Sequence, residues 1–208
     1  MKKSLFVLVV LFSVVINAQQ KGTVEFGSNI GFNRSAINSS EGSTDAGSGF
    51  NIGVSADYYF SRTWSIKTKL IYDQKGWDNG FIEFYSFDPN VIDSSYKTDF
   101  NLNYLTIPVM ANWHFGRTKN WYLNFGPYAG FLLNAEETRF STDVKEGFNT
   151  TDFGVALGVG VKIPVSNKLK IFFEYEENYG FSEVFKEAYS ATRNVRSSFN
   201  FGVNFLMK

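Results

Sequence analysis

Glu174-x-Glu176 puts two carboxylates two residues apart, and on a β-strand that spacing turns both to one face. Paired carboxylates of this kind can do general acid–base work or hold a cation. A Ser-His-acid hydrolase needs an imidazole to take the nucleophile's proton, and His114 is the single histidine. The chain carries no Gly-x-Ser-x-Gly elbow and no phosphate-binding glycine loop ending in Lys-Ser/Thr. Glu41 with Asp45, and Asp88 with Asp93, are acidic pairs in polar or irregular stretches. Two carboxylates fall short of the six to eight oxygens calcium prefers. No catalytic, metal or cofactor site is therefore expected. The acidic residues have to be read with the lysines that share their strands.

Lys2 and Lys3 precede an apolar run from Leu5 to Ile16 and a small residue at Ala18. This is the pattern of a secretory signal peptide over residues 1–18, leaving one domain over 19–208. Without Lys2 and Lys3 the chain keeps 18 basic against 20 acidic side chains, a net charge near −2 that attracts no nucleic acid. Cysteine is absent, which removes a disulfide framework and thiolate metal sites. After residue 18 no apolar stretch is long enough for a transmembrane helix, so a membrane-embedded form must be a closed barrel.

Period-two alternation marks eight segments, at about 24–33, 50–60, 64–73, 105–115, 121–133, 153–163, 169–176 and 198–207. The connections between them alternate long and short, with turns at 61–63, 116–120 and 165–167 and longer loops at 34–48, 76–99, 136–151 and 182–195. All short turns then fall at one rim. The expected fold is all-β, an eight-stranded antiparallel up-and-down transmembrane β-barrel with its short turns on the periplasmic side.

The polar phase tells a membrane barrel from a soluble one. It is crowded with glycines such as Gly27, Gly31, Gly53, Gly158, Gly160 and Gly202, which suit a cramped interior better than a solvated face. Trp64, Trp113 and Trp121 lie on the apolar phase beside short turns and are assigned to a periplasmic-side aromatic girdle. The interior then receives Glu25, Asp57, Asp73, Glu174 and Glu176 with Lys67, Lys69, Lys162 and Lys170, an ion-pair network rather than an open channel. His114 points into the same lumen. In the 76–99 loop, Trp77, Phe81, Ile82, Phe84, Tyr85 and Phe87 form a candidate contact site. Folding residues 103–134 about Thr118 sets Pro108 opposite Tyr128 and Pro127 opposite Val109. Neither proline can donate to a ladder, so a bulge or local bend is expected there.

Tyr104-Leu105-x-Ile107-Pro108, Gly126-Pro127-Tyr128-x-Gly130 with Leu132-Leu133, and Asp152-Phe153-Gly154 leading to Gly158-x-Gly160 together resemble the PorT-like outer-membrane β-barrel family of Bacteroidota. The architecture is similar to the OmpA and OmpX eight-stranded barrels. The resemblance implies residence in the cell outer membrane, contact with outer-membrane lipid and with other outer-membrane or periplasmic proteins, and no cofactor. The function expected is that of a non-enzymatic integral barrel, structural or an accessory subunit of an outer-membrane assembly serving secretion or the envelope. A narrow passive pore and a lipid-modifying enzyme are the alternatives.

Overall fold

The computed structural model describes residues 21–39, 42–85, 92–187 and 191–207. The expected signal peptide, with Glu41, Phe87 and Asp88, lies outside them. Eight long strands form one antiparallel ring: β1 (Val24–Ser39), β2 (Asp45–Tyr59), β3 (Trp64–Tyr85), β4 (Ile92–Phe115), β5 (Trp121–Glu137), β6 (Thr151–Pro164), β7 (Leu169–Gly180) and β8 (Thr192–Met207). Each pairs with its chain neighbour, and β8 closes on β1 from Val24↔Met207 to Ser39↔Thr192 without a register shift. Two dipeptide strands, Gly42–Ser43 and Thr142–Asp143, extend β1 and β5 at the loop end. The lower connections are short; the upper ones join the ends that project away from the tryptophans.

The wall is a period-two sheet turned inside out relative to a soluble barrel. Phe26, Ile30, Phe32, Phe50, Ile52, Phe199 and Phe201 are exposed on the outside, while Glu25, Asn29, Asn33, Asn51 and Asn200 are buried inside. The inward glycines are set by close contact. A Cβ on Gly160 would stand 2.3 Å from the Tyr122 ring, and one on Gly202 2.6 Å from Phe172. Along β1 the outward apolar run ends at Phe32 and Arg34 follows. On β8 Ser197 succeeds Phe199, and on β7 Glu177 succeeds Tyr175. The eight residue steps from Val24 to Phe32 span roughly 20 Å of membrane normal at a strand tilt near 40°. That is close to the apolar height of an outer-membrane barrel.

Two expected loops are largely strand. Residues 34–39 stay in β1, paired to Thr192–Ser197. Their Ser- and Asn-rich composition reads as loop, but the closed ring supplies a partner strand that overrides weak propensity. Residues 76–99 are mostly a continuation of β3 and β4, in register from Gly80↔Thr98 to Phe84↔Ser94 after an irregularity at Trp77/Gly80.

The ladder is interrupted at the proline site, where a bulge or bend is expected. Pro108 does face Tyr128, but no bulge forms there. Bridging to β5 lapses at Val109 and Met110, and bridging to β3 lapses at Ile107 and Pro108, with register kept on both sides. The Pro108 carbonyl takes a hydrogen bond from Thr68 Oγ1 at 3.1 Å. Gly126 allows close approach: a Cβ there would meet the Val109 carbonyl oxygen at 2.2 Å. Pro127 pairs in register with Val155. The register shift of this hairpin lies higher, between Asn103 and Tyr104, where Leu133 and Asn134 of β5 both face out. At this interruption the Thr68 hydroxyl satisfies the Pro108 carbonyl and Gly126 lets the strands approach closely, so no extra residue is needed.

Candidate functional site

Three tiers of charge fill the lumen. At the turn end, Lys162 Nζ donates to Glu25 Oε2 at 2.7 Å, Asp57 Oδ2 at 2.8 Å and the Tyr59 hydroxyl at 2.7 Å. Lys170 also pairs with Glu25, and Asn112 donates to Asp57. In the middle tier Glu174 accepts from Lys67 at 2.8 Å, from Asn124 at 2.8 Å and from Lys69. Lys69 also bonds Glu176 at 2.5 Å, and Arg196 Nη2 bonds the other Glu176 oxygen at 2.6 Å. In the upper tier Arg196 Nε lies 3.3 Å from Asp73, and Lys75 bonds Asp152 at 2.6 Å. The ammonium of Lys75 sits over both Tyr104 and Tyr128, 4.9 Å from each ring centre.

All nine residues assigned to the network therefore stand in lumen ion pairs. The Glu174–Glu176 pair is held by cations and has no vacant face for a substrate. Three members escaped the sequence reading: Lys75, Asp152 and Arg196. Each lies one inward step beyond where its strand was taken to end, after Asp73, before Gly154 and before Ser198 respectively. Extending the two-residue period by one step finds all three. With them, six carboxylates face six cations, and the formal charges of these pairs balance.

His114 is fully buried. Its Nε2 lies 3.1 Å from Ser65 Oγ, and its ring packs between Tyr59 and Tyr122 at 5.0 and 5.9 Å. It sits at the turn end of the barrel, on the strand position next to Trp113.

Above the charges the inward face turns apolar. Trp77 stacks on Phe100 at 4.7 Å and meets Phe148 and Phe185 at 6.0 and 5.8 Å. Ile37, Leu102, Leu132, Ala135 and Val184 complete this core. Phe148 and Val184 come from the two upper connections at 138–150 and 181–187, which hold each other across the mouth. Asn149 N donates to Val184 O at 2.8 Å, its side-chain amide donates to the Glu183 and Phe185 carbonyls at 3.0 Å each, and Lys186 N donates to Gly147 O. Glu137 anchors the first connection, accepting from Thr98 Oγ1 at 2.8 Å and from the amides of Arg139, Phe140 and Thr142. Desolvation pushes its carboxyl up, but the Thr98 hydroxyl and the Thr142 and Phe140 amides together hold it below the usual carboxylate range.

A closed eight-stranded ring with an apolar band, a charged interior and rim tryptophans is the geometry of an outer-membrane barrel, and the sequence agrees. The profile described as outer membrane protein beta-barrel domain matches residues 17–186. The chain belongs to this family. Among solved structures, this outer-membrane barrel is similar to Neisserial surface protein A, at 18% identity and TM-score 0.52, covering 86% of this chain and 96% of that one. It is also similar to OprG from Pseudomonas aeruginosa, at 10% identity and TM-score 0.55, covering 91% and 98%. At these identities the likeness is one of fold. No curated protein sequence matches the chain.

For an outer-membrane barrel the girdle residues are well placed. Trp64 and Trp113 are cross-strand partners stacked at 6.3 Å, Trp113 continues onto Phe115 at 5.2 Å, and Trp121 is exposed opposite Phe115. The aromatic group assigned to loop contact divides. Trp77 is buried in the mouth core, a correction that follows from the continuing inward phase of β3. Phe81 and Phe84 are exposed on the upper hairpin, and Ile82 is half-buried opposite Tyr96.

Proposed function

We propose that this outer-membrane barrel is a non-enzymatic structural or accessory subunit of an outer-membrane assembly, of the PorT-like kind found in Bacteroidota, exported by a signal peptide cleaved after Ala18. One observation carries the reading: the lumen is packed with paired charges and a few buried apolar side chains such as Met110 and Phe172, and is covered by the Trp77–Phe148 core, which leaves surfaces rather than an interior for work. Buried ion pairs fix a unique wall geometry in some proteins, and here pairs such as Lys67–Glu174 and Lys162–Asp57 reach across the barrel. Affinity isolation from native membranes after mild detergent extraction is the test, with one or more reproducible envelope partners expected. A barrel that always purifies alone sinks the accessory role.

The same observation weighs against a passive pore. Planar-bilayer recording of the folded chain is expected to show no conductance, and steady channel currents would replace the reading. His114 offers little to lipid chemistry, since its ring is enclosed by Tyr59 and Tyr122 and lies at the rim remote from the outer leaflet. A His114→Ala strain is expected to keep an unchanged lipid profile.

A further inference from the structure

The two ends of the barrel differ in charge. At the loop end, acids such as Asp45, Asp99 and Asp143 mix with Arg34, Lys97 and Lys145. At the turn end, every described charged side chain outside the lumen is a cation: Lys21 ahead of β1, Arg62 between β2 and β3, Arg117 and Lys119 between β4 and β5, and Lys168 between β6 and β7. All five are exposed, and none stands in an ion pair among the described residues. The acids of this end, Glu25 and Asp57, are buried inside and held by Lys162 and Lys170. No Asp or Glu occurs in residues 1–24, 58–65, 115–121, 164–169 or 205–208, so the flanking sequence offers these cations no side-chain carboxylate.

The cations are densest where the aromatic girdle is. Thr63 O accepts from His114 N at 2.7 Å, which sets the Arg62 turn beside the Arg117 turn. Arg62 stands two residues before Trp64, Arg117 two after Phe115, and Lys119 two before Trp121. On the outer wall above them Trp64 stacks on Trp113, Trp113 continues onto Phe115, and Trp121 is the cross-strand partner of Phe115. Lys119 is held at φ 57°, a left-handed backbone that glycine or asparagine adopts more readily. What lysine adds over those residues is a charge. Girdle indoles settle at headgroup level, and the long stems of lysine and arginine carry their charges to the same layer. The five cations ring the rim on separate connections instead of forming one face, which suits a surrounding lipid layer better than a single docked protein.

We infer that the turn-end rim, above all Arg62, Arg117 and Lys119 beneath the ledge of Trp64, Trp113 and Trp121, binds the phosphate headgroups of net-negative phospholipids in the leaflet the turns reach. This goes beyond the accessory role and stands on the family and fold alone. The test uses the full chain folded in mixed bilayers, with bromine-labelled phosphatidylglycerol or phosphatidylcholine quenching tryptophan fluorescence. Trp77 is shut in the mouth core, so quenching reports Trp64, Trp113 and Trp121. Phosphatidylglycerol is expected to be preferred about fivefold, and the preference should fall towards unity in about 0.5 M salt. Arg62→Gln with Arg117→Gln and Lys119→Asn should abolish it, whereas Lys21→Gln with Lys168→Gln should leave most of it. These changes lie on exposed turns, Lys119→Asn eases the left-handed position, and heat-modifiable migration checks that the barrel is intact. Inorganic phosphate in large excess should not compete. A preference that survives the triple variant or high salt, or that is lost only with Lys21 and Lys168, overturns the inference. Abolition by inorganic phosphate also overturns it and gives the rim to free anions. No lipid preference, with saturable binding of a polyglutamate peptide in its place, overturns it in favour of an acidic protein.

Discussion

The lumen and the mouth are lined by the same inward phase of the same strands, yet one is ionic and the other apolar. On β3 the inward series runs Lys67, Lys69, Ile71, Asp73, Lys75 and then Trp77; on β4 it runs from His114 and Asn112 past Met110 up to Tyr104, Leu102 and Phe100, so the lower stretch is mainly ionic and the upper one apolar. At membrane level only the opposite wall can fill the interior, so long charged side chains reach across and meet. Lys67 and Glu174 are 107 residues apart in sequence. Above the membrane the connections can fold inward and bring Phe148 and Val184 to an apolar core. The lower region is thus tied to the ring, whereas the upper one is tied to its loops.

Breaking the lower region is expected to do the most damage. Glu174→Ala leaves Lys67 buried without its carboxylate, and loss of one partner of a buried pair costs about 3–5 kcal/mol; urea unfolding of the barrel in lipid vesicles measures it. If the change is silent, the ionic tiers are not what fixes the wall. Trp77→Ala should cost about 3 kcal/mol, the low end for a buried aromatic, but its effect should be local. Limited proteolysis is expected to cut within 138–150 or 181–187 while heat-modifiable migration persists. Global unfolding of this variant would erase the distinction between the two regions. Gly160→Ala forces a methyl against Tyr122, and overpacking of this kind costs about 2 kcal/mol, read as a lower unfolding midpoint.

The smallest effect separates two acids at the upper rim. Glu137 has a carboxyl pKa below its unfolded value, so its stabilisation is present above that value and is lost as pH falls through the folded one. Amide exchange at Arg139, Phe140 and Thr142 should quicken below about pH 4. Asp78 is shifted upward, so its contribution favours the fold at low pH and fades as the carboxyl ionises. Because Asp78 is largely solvated, Asp78→Asn should raise stability near neutral pH only slightly. Exchange at the 138–142 turn that ignores acid would remove the role given to Glu137.

How much of this is legible in sequence follows from where local pattern decides. The strands at membrane level are read directly, because lipid outside and crowding inside leave Phe26, Ile30 and Phe32 no freedom of side, and Gly27 and Gly31 little. Lys75, Asp152 and Arg196 were hidden only by strand ends drawn short. Trp77 misled for a different reason: an aromatic beyond the apolar band looks like a contact residue until a loop 71 residues further on supplies Phe148. The bulge near Asn103 was masked by Leu132-Leu133, where consecutive leucines face opposite ways, one into the mouth core and one outward. The prolines draw attention because a missing donor is visible in sequence, whereas Thr68, which satisfies the Pro108 carbonyl, and Gly126, which allows the close approach, act only across the wall.

The β8–β1 seam bears on how such a wall can ever close. Its registers run unbroken along all 16 residues of each strand, and it joins the two ends of the domain; Asn204 and Glu25 touch across it though 179 residues apart. Every other neighbour pair can zip from a nearby turn, but this one must first find its mate across the whole chain. Loop closure grows slowly with length yet must precede the contacts that reward it. The seam is therefore the kinetic bottleneck of assembly, and paired labels near Val24 and Met207 should come together last, after pairs set across any of the short turns.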